Sequence, residues 1–172
     1  MLKSILKRSL TLVGAALLCS TFSVSARTSA ELQHEYQLMR KCAQQYSYDI
    51  LPDVKLHVTH DDSIYARAST SRNTIHIHQL PAYLLTNAQL HFILAHELAH
   101  IIYADPPAQN VEYERRADRV AIEILHTCKL DTNGYKSFLE ISQDSVGVHD
   151  NNTTRIKMLD THLKSLESAT QK

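Results

Sequence analysis

The chain reads as an α+β fold, a small antiparallel or mixed sheet packed on several helices. Three observations predict it. Between positions 54 and 78, short runs alternate apolar and polar side chains, the period of half-buried strands. On both sides of that region, apolar residues recur every three or four positions, the period of helices. One later stretch, Leu90 to Ile102, is apolar on most sides, as a helix buried in a core must be.

The N-terminus is not expected to join that fold. Lys3, Lys7 and Arg8 precede an apolar run from Leu10 to Leu18, and Val24-Ser25-Ala26 offers the small residues a signal peptidase accepts. The run is shorter than the ~20 residues a spanning helix needs. Residues 1–26 are therefore read as a signal peptide removed on export, to the periplasm or beyond the cell. Two rivals are an uncleaved anchor, disfavoured by the short run, and a lipoprotein signal at Leu17-Leu18-Cys19, disfavoured by Leu18, where a small residue is normally required. Residues 27–172, about 146 in number, form one domain able to bury about two-thirds of its surface.

The first helix is carried by Leu32, Tyr36, Met39, Ala43 and Tyr46. Strands follow at Val54–Val58, Ile64–Ala68 and Thr74–His78, with turns at Asp61-Asp62-Ser63 and Ser69 to Asn73. Pro81 ends the sheet region. Thr86, with Gln89 three residues on, makes a capping box that starts the apolar helix, and Asp105-Pro106-Pro107 stops it. The next helix starts near Glu112 and packs through Val120, Ala121, Ile122, Ile124 and Leu125. A short helix spans Tyr135 to Ile141. Ile156, Leu159, Leu163 and Leu166 define an amphipathic last helix, with Asn152 as its cap.

Chemistry is concentrated at His96-Glu97-Leu98-Ala99-His100, inside the apolar helix. Helical geometry puts residues four apart on one face, so the two imidazoles can bind one zinc ion, and Glu97 can reach a water on that metal. Titratable groups seldom enter a core without partners, and a metal supplies one. The alternative is a helix whose His and Glu face solvent. A catalytic zinc site usually has three protein ligands and an open position. Glu114 and Asp118, four apart on the following helix, answer that need. Glu114 would complete the ligand set, and Asp118 would accept the free ring N–H of His96 and fix its tautomer. Glu112 is the competing ligand, and an ordinary surface cluster of helix charges is the competing interpretation.

HELAH, then ERRADRVA, then Gly134-Tyr135, then His149 six residues before Arg155, resembles the gluzincin metallopeptidases that include the CAAX prenyl proteases and the HtpX-like proteases. The resemblance runs from about Asn73 to Leu166. It implies a zincin-like fold and a zinc endopeptidase with one Zn2+ per chain. His96, His100 and Glu114 would be the ligands, Glu97 the general base and Asp118 the orienting carboxylate. It also implies an edge strand just before the HELAH helix that holds substrate by main-chain pairing. Thr74, Ile75, His76, Ile77 and His78 stand at that place, where His76 and His78 could line the groove; exposed polar positions of a half-buried strand explain these two His better than any metal role. His149 would donate to the oxyanion of the attacked carbonyl, steadied by Arg155, or else fill the open zinc position. Two departures stand out: Asp150 follows His149 where the family usually has Pro, and no span follows the N-terminus.

Charge adds an exclusion. Lys plus Arg and Asp plus Glu are 18 each, so nothing electrostatic argues for nucleic acid or an anionic membrane as partner. A polypeptide substrate is the expected partner, and the oligomeric state is open. Cys19 leaves with the signal segment. Cys42 and Cys128 remain, and in an exported protein such a pair is either a disulfide or two buried thiols. The expected function is thus a zinc-dependent endopeptidase of exported or envelope proteins. A non-catalytic zinc-containing module that binds peptides, and a cytosolic peptidase that cleaves regulators, are the alternatives.

Overall fold

A computed structural model of the chain describes residues 26–47, 53–60, 65–107, 110–142 and 149–170. The expected signal peptide up to Ser25, and the Asp61–Ile64 part of the second strand and its turn, lie outside the described residues. Among the described residues, no helix is long and apolar enough to cross a membrane.

Helix α3, Asn87–Ile102, is the piece around which the rest packs. Thr86 and Gln89 cap it reciprocally, as the sequence predicts. Leu90, Leu94 and Leu98 are fully buried on one side, and Phe92, Ala95 and Ala99 close the others. A helix apolar all round needs neighbours all round. They are α1 (Ser29–Tyr46), α4 (Val111–Thr127), α5 (Gly134–Ile141) and the sheet. The last helix, α6 (Asn152–Thr170), lies on α4 and α5 through Leu159 and its apolar neighbours. Its first amide bonds go to Asn151, which serves as the cap in place of Asn152. The Asn152 amide instead donates to the carbonyls of Leu139 and Ser142, tying the start of α6 to the end of α5.

The fold is α+β, with six α-helices and a small mixed sheet among the described residues. The strands are β1 (Lys55–Thr59), β2 (Ala66–Ser69) and β3 (Thr74–His78), in the order β1-β3-β2. One expectation fails here. Thr74, Ile75, His76, Ile77 and His78 do not form an edge. β3 is the central strand, parallel to β1 and antiparallel to β2. The physical reason is in its side chains: Ile75 and Ile77 are fully buried, so the most apolar strand takes the middle of the sheet, where its amides pair on both sides. A short helix, α2 (Gln79–Leu84), follows directly and carries the chain to α3.

Two further contacts fix the scaffold. Cys42 of α1 and Cys128, just past α4, form a disulfide with Cα atoms 5.7 Å apart. Closing an 86-residue separation contributes about 4–5 kcal/mol in the chain-entropy account. At Gly134, a Cβ would fall 2.0 Å from the carbonyl oxygen of Ala88, so only glycine lets α5 approach the first turn of α3 this closely.

Candidate metal centre

The two histidines of HELAH stand one turn apart on α3, and α4 crosses beside them with Glu114. His96 Nε2 lies 3.1 Å from Glu114 Oε2, His100 Nε2 lies 3.2 Å from His96 Nε2, and His100 Nε2 lies 3.4 Å from Glu114 Oε2. Among the described residues this is the one group of three whose ligand atoms converge so that they could hold a metal ion.

The ring tautomers follow from what lies behind each imidazole. His96 Nδ1 donates to Asp118 Oδ1 at 2.9 Å, and His100 Nδ1 donates to Asp105 Oδ2 at 2.9 Å. A carboxylate accepts only, so both Nδ1 atoms carry hydrogen in the neutral rings, and both Nε2 atoms are left as lone-pair acceptors. Three acceptors, two Nε2 atoms and a Glu114 oxygen, then point at one spot. That arrangement calls for a cation. Without a metal, protons take its place. Burial works against charge on His96, yet the hydrogen bonds with Asp118 and Glu114 prevail and push its pKa up to about 10. His100 is raised in the same way: burial opposes the charge, and Glu114 outweighs it. Glu114 is held far below the ordinary carboxylate range, because His100 and His96 overcome its own burial.

Asp118 is buried and doubly clamped. Arg155 of α6 reaches it with Nε at 2.8 Å from Oδ2 and Nη2 at 2.7 Å from Oδ1. Those bonds and His96 overcome its desolvation and keep it ionised. Arg155 therefore serves Asp118 and makes no hydrogen bond to His149. Glu97 is 7% exposed, and burial raises its pKa. The backbone amide of Ala68 on β2 works against that rise, so the Glu97 carboxylate lies beside that strand. Among the described residues no strand pairs with the outer edge of β2.

His149 sits at the mouth of the cluster, its ring centroid 6.0 Å from that of His96. Its Nδ1 is 3.2 Å from Glu114 Oε2 but without hydrogen-bond geometry, so this buried nitrogen has no partner. Burial lowers its pKa to about 4, leaving the ring neutral. Asp150 seats the segment after His149: its carboxylate takes Arg115 Nε at 2.7 Å and Nη2 at 3.0 Å. Glu112 points outward to Arg115 and does not join the centre. His76 and His78 remain in the sheet, where His76 stacks on His57 with centroids 5.4 Å apart. His91 pairs with Glu35 of α1, a structural role.

Sequence reasoning missed three contributors. Asp105 was legible only as a helix stop, Arg116 only as a helix charge, and Ala68 only as a strand residue. A His followed five positions later by Asp across a helix end is the one sequence cue that points to Asp105. Comparison with protein-family models, with curated proteins and with solved structures finds no match.

Proposed function

We propose that this chain is a zinc-dependent endopeptidase of the gluzincin kind, resembling the CAAX prenyl and HtpX-like proteases, that cleaves exported or envelope proteins. The observation that carries the reading is the convergence of two Nε2 lone pairs and one carboxylate oxygen on a single point. Zinc fits it: ligand atoms about 2.0–2.1 Å from a tetrahedral zinc stand about 3.3 Å apart, close to the separations among His96, His100 and Glu114. Bound there, zinc would polarise a substrate carbonyl and lower the pKa of a water toward neutrality.

The chain's own groups supply the rest. Glu97, buried and one position on from His96, accepts the proton of the attacking water and passes it to the leaving amine. His149, neutral and with an unpartnered nitrogen, donates toward the oxyanion. The outer edge of β2, Ala66–Ser69, unpaired among the described residues, takes an extended peptide and replaces β3 in that role, since Glu97 already lies against Ala68. Main-chain pairing gives affinity with little sequence demand, which suits a peptidase of many substrates. The disulfide supports an oxidising compartment, in keeping with export.

A base held against the peptide-binding edge favours cleavage over passive peptide binding. The test is Glu97→Gln, assayed on unfolded casein with and without chelator. Zinc should remain at one ion per chain by elemental analysis, while chelator-sensitive cleavage drops by about 10²–10⁴-fold. Undiminished cleavage by that variant refutes the assigned base. A zinc-loaded wild-type protein that binds casein without cutting it leaves the binding module as the correct account.

A further inference from the structure

We propose that Asp105 is the positioning residue for His100, placed there by the turn that ends α3; this rests on the zinc reading above. The turn has a defined form. The Ala104 amide donates to the carbonyl of Ile101 at 3.1 Å, and the Asp105 amide donates to the carbonyl of His100 at 2.9 Å. Ala104 has φ 49°, the left-handed conformation this double bond pattern requires. Glycine is the usual residue there, and alanine is strained.

In such a turn, the residue after the left-handed one comes back against the residue five positions before it. An apolar contact is customary at that place. Here the two residues are Asp105 and His100, and the contact is the 2.9 Å bond from His100 Nδ1 to Asp105 Oδ2. The helix end thus delivers a carboxylate to the back of a ligand ring.

The carboxylate is itself held. Asp105 is 6% exposed, and its backbone carbonyl accepts the hydroxyl of Thr70 at 3.0 Å. Its Oδ1 takes Nη2 of Arg116, whose guanidinium lies 4.6 Å from the ring centre of Tyr103 and 5.2 Å from that of Tyr113. With one oxygen on Arg116 and the other on His100, the carboxylate keeps a single orientation. His100 then keeps Nδ1 protonated and Nε2 turned to His96 and Glu114. Losing such a partner behind a ligand typically lowers metal affinity by about 10–100-fold.

The experiment measures Zn2+ affinity by competition with a chromophoric chelator, for wild type, Asp105→Asn, His100→Ala and the double variant. Asp105→Asn keeps the shape and removes the charge, so it should weaken zinc by at least about tenfold in the wild-type background. In the His100→Ala background the same change should cost no more than about twofold, because the ring it positions is gone. A merely structural role would weaken zinc equally in both backgrounds, and that result overturns the proposal. Equal affinity of Asp105→Asn and wild type also overturns it while leaving the zinc reading intact. Wild-type protein that takes up no zinc removes both. Should Asp105→Asn fail to unfold cooperatively, Arg116→Gln carries the test: a smaller loss of affinity is expected, and no loss refutes the idea.

Discussion

His96 and His100 are the same residue, one turn apart on the same helix, yet they are held in different ways. Behind His96 stand Asp118 of α4 and Arg155 of α6, with side-chain exposures of 9%, 6% and 11% along the series. Behind His100 stand Asp105, in a turn, and Arg116, which is 31% exposed and rests on two tyrosine rings. The first relay is a piece of the core, built from three helices. The second is a local device at a helix end. A buried ionic relay has water to compensate none of its members, so its loss must spread into the fold. The second relay ends in a partly exposed guanidinium, which water can serve when Asp105 loses its charge.

That contrast orders the expected effects. Asp118→Ala strands the buried guanidinium of Arg155 and should cost about 3–5 kcal/mol, read as a drop in the denaturant midpoint of the metal-free protein. An undisturbed midpoint would erase the difference between the two sides.

A second effect concerns pH. In chelator-treated protein, the charged His96–Asp118 pair is the stabilising form. His96 rises from 6.5 to about 10, so its contribution is complete below pH 6.5 and is lost as pH climbs through about 10. Asp118 is depressed from 3.8, so its contribution is complete above pH 3.8 and is lost as pH falls through its lowered value. Thermal unfolding should therefore peak between those two ordinary values and decline by several degrees toward pH 10. Asp118→Asn should flatten the curve, whereas Asp105→Asn should leave its shape. On the proposed zinc reading, added zinc should reverse the alkaline slope, because a metal binds only deprotonated rings and its affinity grows with pH.

The smallest effect belongs to the turn. Ala104→Gly relieves a left-handed alanine and should stabilise the protein by about 1 kcal/mol, offset in part by the greater freedom of glycine in the unfolded chain. Zinc affinity should be unchanged, because the bonds of the turn are kept. A loss of stability would mean that Ala104 is unstrained.

The degree to which each relay could be read in advance tracks the same contrast. Glu114 and Asp118 share a helix face because they are four apart, and periodicity exposes that in one dimension. His96, Glu97 and His100 were legible for the same reason, as was the capping box at Thr86 and Gln89. Arg155 is visible as a candidate, but its bidentate partner Asp118 is not, since which carboxylate it meets depends on how α6 lies on α4. Asp105 was hidden because Asp-Pro-Pro reads as a stop, and stopping a helix says nothing of where the stopping side chain folds back. The order of the strands was hidden too. Alternation identifies β3 as a strand with one apolar face, but pairing on one side or both is a matter of which strands come to lie beside it.

Local periodicity and residue chemistry, then, determined from the sequence that this protein is α+β and carries two ring nitrogens and an acidic group suited to one metal ion. Those depend on neighbours three or four residues apart, whose geometry the helix imposes. Only the tertiary structure decided that β2, and not β3, is an outer strand among the described residues and lies beside Glu97, that Arg155 serves Asp118, and that Asp105 backs His100. Each of those depends on elements distant in the chain, or on a turn that reverses direction, and no repeat in the sequence encodes such meetings.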